Sequence, residues 1–154
     1  MTRVMLAGPC GVGKSTLGCL LAARLGIAYL EFDSYRRCHP ESNSLAWSLS
    51  RLDLVSCLSD YLGNQPSCVI DIGGDTVFRG GADNNARLAQ VQLLRQDFGV
   101  VVVLLEAREE SARTRFCRTK GRDPEEFDEP WQAWHADSLD WWARCADLRL
   151  DTSA

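Results

Sequence analysis

The sequence has no C-x-x-C pair, no apolar run approaching 18 residues and no excess of positive charge. Each shortage closes a class of function. Seven cysteines stand at 10, 19, 38, 57, 68, 117 and 145. Their odd number and unpaired spacing argue against a zinc site or a disulfide framework and point to a reducing cytoplasm. A formal charge of −4 argues against nucleic acid as the main partner, because binders of the phosphate backbone are basic overall. Without a membrane-length apolar segment or a signal-peptide core at its N-terminus, the chain is expected to be soluble and away from membranes. Its 154 residues suffice for one domain, 1–154, with a core of its own.

What the sequence does contain is concentrated near its start. Gly8 to Thr16 reads GPCGVGKST, matching G-x-x-x-x-G-K-[ST]. The apolar run before it suits a buried strand. After it Leu17, Leu20, Leu21, Ala22 and Leu25 recur at helical spacing up to Gly26, a candidate C-cap. Strand, glycine loop and helix together make a phosphate cradle, in which converging backbone N–H groups and the helix dipole favour an anion. The candidate nucleotide-binding residues are therefore Gly8, Gly11, Val12, Gly13, Lys14, Ser15 and Thr16. Lys14 is placed to reach the β- and γ-phosphates, and the Ser15 hydroxyl to ligate Mg²⁺.

Downstream, a second strand over 27–32 is expected to carry Glu31 and Asp33 on one face at its carboxyl end, where α/β sheets bind ligands. Asp33 can take a proton from a substrate hydroxyl and Glu31 can hold a water on Mg²⁺; capping of the next helix is the alternative. Arg37 in the polar stretch 34–43 is a candidate for an anionic substrate. A helix is expected over Leu45–Leu62, then a strand over Ser67–Ile72 ending in Gly73-Gly74-Asp75, where paired glycines permit close backbone approach. Either Asp71 or Asp75 can serve metal or substrate. Asn84 to Phe98 reads as a helix, and Val100 to Leu105 as a central strand buried on both faces. The cationic stretch of about 110–125, broken at Gly121, suits a lid closing over phosphates, or alternatively a helix face of charge pairs. Trp131, Trp134, Ser138, Trp141 and Trp142 form a stripe fit for a core-facing helix, with an aromatic substrate box as the alternative, and Asp147–Asp151 suits a last strand.

This order of landmarks resembles the shikimate-kinase-like small P-loop kinases. Leu30-Glu31-Phe32-Asp33 is similar to that family's Leu-Asp-x-Asp, and Gly73-Gly74-Asp75 approximates its glycine triplet. Arg115 and Arg122-Asp123-Pro124 reproduce its spacing of an adenine-stacking and a phosphate-binding arginine. The ending Arg149 to Ser153 is similar to its adenine loop. The resemblance implies a three-layer α/β/α fold with a five-stranded parallel sheet in order 2-3-1-4-5, a lid, and ATP and Mg²⁺ as cofactors. It also implies catalytic roles for Lys14, Asp33 and Arg122, a substrate set of Asp33, Arg37, Gly73, Gly74 and Asp75, and Ser15 with Glu31 on the metal.

The departures bear on the acceptor. Where shikimate-binding arginines are expected, this chain has Trp47 and Ser48, and later Ser138 and Asp140. Asp75 replaces the third glycine with a negative charge that opposes a carboxylate. The expected activity is phosphoryl transfer from ATP to a hydroxyl of a small molecule other than shikimate, by a monomer or homodimer. A nucleotide-gated regulatory module with slow hydrolysis and a nucleoside or nucleotide kinase are the alternatives.

Overall fold

The computed structural model describes residues 1–38, 53–73, 76–78, 83–123 and 131–153, without the side chains of 132–134. Five strands form one sheet: β1 (Arg3–Ala7), β2 (Ala28–Glu31), β3 (Cys68–Asp71), β4 (Val100–Glu106) and β5 (Leu148–Asp151). Among the described residues six helices surround it: α1 (Lys14–Leu25), α2 (Phe32–Cys38), α3 (Leu54–Asn64), α4 (Asn84–Phe98), α5 (Glu109–Lys120) and α6 (Trp131–Ala143). The order is β2-β3-β1-β4-β5, as expected, and every pairing is parallel. β1 therefore lies between strands reached by crossovers in opposite directions, and its carboxyl end opens at a topological switch point.

Alternation along the strands divides the core in two. Met5, Leu30, Ile70 and Leu104 join α3, α4 and the end of α6 on one face. Leu6, Val69 and Leu105 join α1 and α5 on the other. This is the pattern of a sheet covered on both sides. Four of the seven cysteines, Cys57, Cys68, Cys117 and Cys145, are buried among these apolar residues, and all seven are free thiols. Trp142 is fully buried and Trp131 nearly so, in agreement with a core-facing stripe.

Helix ends follow local chemistry. Gly26 adopts φ 64° and closes α1 through Ala22 and Ala23 carbonyls; Gly121 does the same for α5 at φ 63°. Asp53 caps α3, its Oδ1 accepting from the Ser56 N–H at 3.0 Å. The helix expected over Leu45–Leu62 is thus observed from Leu54; residues 45–52 lie outside the described residues. The segment read as a lid is helical over 109–120, anchored by buried Ala112 and Cys117.

One expectation on the second strand is corrected. β2 stops at Glu31, and Phe32 and Asp33 begin α2. Phe32 is fully buried in the same core cluster as Leu30, and the backbone turns helical from Phe32 on. Asp33 consequently sits in a helix's first turn and does not share a strand face with Glu31.

Two helices also end on one side chain. Arg3, buried at the start of β1, donates from Nε to the Gln65 carbonyl at 3.1 Å and from Nη1 to the Phe98 carbonyl at 2.8 Å. Its Nη2 donates to the Leu62 carbonyl. One guanidinium thereby caps the carboxyl ends of α3 and α4, where the dipoles favour a cation.

Candidate functional site

The loop between β1 and α1 is built on glycines in the left-handed region: Gly8 at φ 126°, Gly11 at 77° and Gly13 at 93°. Two of them also have no room for a side chain. A Cβ on Gly8 would lie 2.3 Å from the Leu105 carbonyl oxygen, and one on Gly11 would lie 1.9 Å from that of Ala112. The loop is therefore pressed against β4 and α5 by backbone contacts that only glycine allows. Val12 is fully buried and pins the loop to the core. Lys14 is buried and folds back, its Nζ donating to the Gly8 and Pro9 carbonyls at 2.9 and 2.8 Å.

A cleft of about 390 Å³ opens in front of this loop. Gly11, Gly13, Lys14, Ser15 and Thr16 line it, together with Glu31, Asp33, Gly73 and Arg115 from the sequence-derived set. Asp71, Phe116, Arg118 and Lys120 complete its walls. Acids gather on the side of β2 and β3, and cations on the side of α5.

Register explains the acidic side. Glu31 on β2 lies directly beside Asp71 on β3, which lies beside Leu6 on β1. All three point to the face that α1 covers, so the two carboxylates stand next to Ser15 in the first turn of that helix. Ser15 Oγ donates to Asp71 Oδ2 at 2.5 Å, and Tyr29 Oη donates to the same oxygen at 3.2 Å. Burial, and then the adjacent Asp71 carboxylate, push the Tyr29 phenol above its ordinary range. Glu31 is exposed and accepts from Ser34 Oγ at 2.6 Å, and Arg37 donates to that same Ser34 oxygen at 3.3 Å. Arg37 thus lies on the outer rim, outside the lining of the cleft.

Asp33 reaches the cleft from α2. Its Oδ1 accepts from Thr76 Oγ1 at 2.7 Å. The Thr76 N–H closes a turn on the Gly73 carbonyl at 3.1 Å. A Cβ on Gly73 would stand 2.1 Å from Asp33 Oδ2, so the absence of a side chain there is what admits the carboxylate. Gly74 and Asp75 lie outside the described residues, as do Trp47, Ser48, Arg51 and Arg79.

The far side is tied to the chain's last strand. Arg115 Nη2 donates to the Thr152 carbonyl at 2.8 Å, and Thr152 Oγ1 donates to the Val12 carbonyl at 2.8 Å. The end of β5 is thereby fastened to the loop before α1. Arg122 occupies the exposed turn after Gly121, where its N–H bonds the Cys117 carbonyl, and it does not line the cleft.

Two participants escaped the sequence reading, and a third was left open by it. Asp71 was one of two open choices, and an acid ending an otherwise apolar strand was its only signal. Tyr29 and Thr76 gave none, because each matters through a partner more than 40 residues away.

No protein-family model matches the chain. A curated shikimate kinase of Streptomyces avermitilis is 64% identical over 31 residues, 20% of this chain and 18% of that protein. A shikimate kinase of Psychrobacter cryohalolentis is 31% identical over 96 residues, 58% of this chain and 50% of that protein. The chain therefore spans half or less of the length of these curated relatives. Among solved structures, shikimate kinase from Acinetobacter baumannii in complex with shikimate superposes with a TM-score of 0.65 at 24% identity, over 100% of this chain and 85% of that one. The fold is that of the shikimate-kinase-like P-loop kinases. Among the described residues no helix is long and apolar enough to cross a membrane.

Proposed function

We propose that the chain transfers the γ-phosphate of ATP to a hydroxyl group of a small metabolite or antibiotic other than shikimate. The observation that carries this reading is the composition of one cleft. It joins a glycine-built phosphate loop with Lys14 and Arg115 on one side to Asp33, held at a glycine turn, on the other. Such a cleft at the switch point of a parallel sheet suits two ligands meeting end to end.

In this reading the loop N–H groups and the α1 N-terminus hold the phosphates, and Lys14 exchanges its two carbonyl partners for phosphate oxygens. Gly8, Gly11, Val12, Gly13 and Thr16 supply backbone to this cradle. Arg115 serves the base end of the nucleotide. Arg122 serves the phosphates once the turn beyond α5 folds toward the cleft.

Ser15, Glu31 and Asp71 offer only oxygen donors, which fits Mg²⁺. Among the described residues no three His, Cys, Asp or Glu side chains form a metal cage. When bound, the ion would neutralise charge on the transferring group.

Asp33 orients the acceptor hydroxyl. As the acceptor oxygen bonds to phosphorus and the bond to the ADP oxygen breaks, its proton passes to the Asp33 carboxylate. In this reading Gly73 lines the acceptor side, Gly74 and Asp75 belong to the same substrate set by sequence, and Arg37 stands at the rim. Carboxylates at 33 and 71 favour a neutral or cationic acceptor over an anionic one.

The test is ADP release with Mg²⁺-ATP across a panel of sugars, nucleosides, aminoglycoside-type polyols and hydroxy acids, on wild type and Asp33→Asn. Acceptor-stimulated turnover that falls about 10²–10⁴-fold in Asp33→Asn supports the reading. Slow turnover, indifferent to every acceptor and to Asp33→Asn, overturns it in favour of a nucleotide-gated module. Stimulation by carboxylate-bearing acceptors alone overturns the assignment of acceptor charge.

A further inference from the structure

We propose that Tyr29 is a positioning residue for the metal side of the cleft, acting through Asp71. The inference rests on the nucleotide-site reading above and extends it to a residue outside the phosphate loop.

Three observations converge on Tyr29. Ser15 and Tyr29 both donate to Oδ2 of Asp71, at 2.5 and 3.2 Å. The other carboxylate oxygen accepts no hydrogen bond among the described residues, while Asp71 lines the cleft. Two donors on one oxygen thus fix the plane of the carboxylate and leave its second oxygen for a ligand.

The Tyr29 ring is also seated by the helix that carries Ser15. Gly18 lies three residues after Ser15 and faces the ring; a Cβ there would stand 2.7 Å from Tyr29 Cε2. α1 therefore sets the position of both donors at once.

Finally, Tyr29 and Glu31 share one face of β2, and Glu31 is the neighbour of Asp71 in register. Ser15, Asp71 and the Tyr29 phenol form one hydrogen-bonded oxygen cluster on the α1 face, with Glu31 beside Asp71 in register. A side chain that merely filled space beneath α1 would need no hydroxyl; a phenylalanine would serve.

Partners that orient a ligand's ligand typically change metal affinity 10–100-fold when removed. The experiment measures the dissociation constant of ADP by calorimetry, once with EDTA and once with saturating Mg²⁺. The ratio of the two is the metal coupling. For Tyr29→Phe we expect the EDTA constant to stay within twofold of wild type and the coupling to fall about tenfold. In an Asp71→Asn background, Tyr29→Phe should cause no further loss, since its route is gone. Gly18→Ala, which unseats the ring and keeps the hydroxyl, should lower the coupling as well.

A coupling unchanged in Tyr29→Phe overturns the inference. So does an equal loss in both backgrounds, which would mean a route other than Asp71. Wild-type protein that binds no ADP under either condition removes the nucleotide-site reading first, and this inference with it. Circular-dichroism melts of each variant confirm that the comparison is made on folded protein.

Discussion

Replacing Arg3 by methionine isolates a side chain that holds three carbonyls at once. Methionine preserves much of the stem's apolar contact but leaves the carbonyls of Leu62, Gln65 and Phe98 without their donor. A hydrogen bond to a charged group contributes about 1.5–3 kcal/mol, and three such bonds would sum to more than the whole should lose. Two terms reduce the sum. The Gln65 carbonyl ends a helix near the surface and water can replace part of the loss, and methionine spares the desolvation of a buried cation. A net destabilisation of about 3–5 kcal/mol remains, a large share of the ~5–15 kcal/mol typical of a domain. At about 2–4 °C per kcal/mol for a chain of this size, Tm should fall by roughly 6–20 °C. Urea unfolding followed by circular dichroism reads this as a lower midpoint with unchanged slope. Arg3→Lys should recover only part, because one ammonium cannot span three carbonyls in this geometry. A loss under about 1 kcal/mol in Arg3→Met would refute the account of a shared cap.

Other consequences are as direct. Gly11→Ala should cost about 2–4 kcal/mol and at least a tenfold loss of ADP affinity, since its Cβ meets the Ala112 carbonyl; Gly13→Ala meets nothing within 4 Å and should cost about 1–2 kcal/mol. Equal effects in the two would refute the packing argument. Exposed Cys19 and Cys38 should alkylate quickly in native protein, and cleft-lining Cys10 should do so only without nucleotide. Burial pushes the Cys57 and Cys145 thiols up to about 12, so these two should react only on unfolding, which mass spectrometry can check. Partial burial raises Asp147, but the Arg95 guanidinium and the Val102 N–H together outweigh it and hold the carboxyl below its ordinary value. Its contribution is therefore present above the unfolded value of about 3.9 and lost as pH falls through the folded one. Asp147→Asn should cost about 1 kcal/mol at pH 7, and the difference should vanish in strong acid; a pH-independent difference would contradict the linkage.

Local signals proved reliable where one interaction dominates. The six branched residues from Val100 recur in β4, although Val101 is exposed, so burial on both faces holds only in part. Asn84–Phe98 is helical over its expected span, and Gly26 closes α1 as anticipated. The glycine loop before α1 was legible from its motif, although its glycines answer both to positive φ and to contact with the distant β4 and α5. Asp33 shows the limit. Its type and place in the chain suggested a strand-end acid, yet it reaches the cleft from the first turn of a helix, because β2 stops at Glu31.

The sequence by itself determined the motif of the glycine loop, the alternation of strands and helices and the excess of cations after β4, all of which depend on neighbours within a few residues. Only the tertiary structure decided that Asp71 faces Ser15, that Tyr29 shares its oxygen, that Thr76 holds Asp33 and that Arg3 caps two helices. Those choices depend on strand register and on which face a side chain takes. Residues dozens of positions apart set both, and the energy that selects them is that of the assembled core.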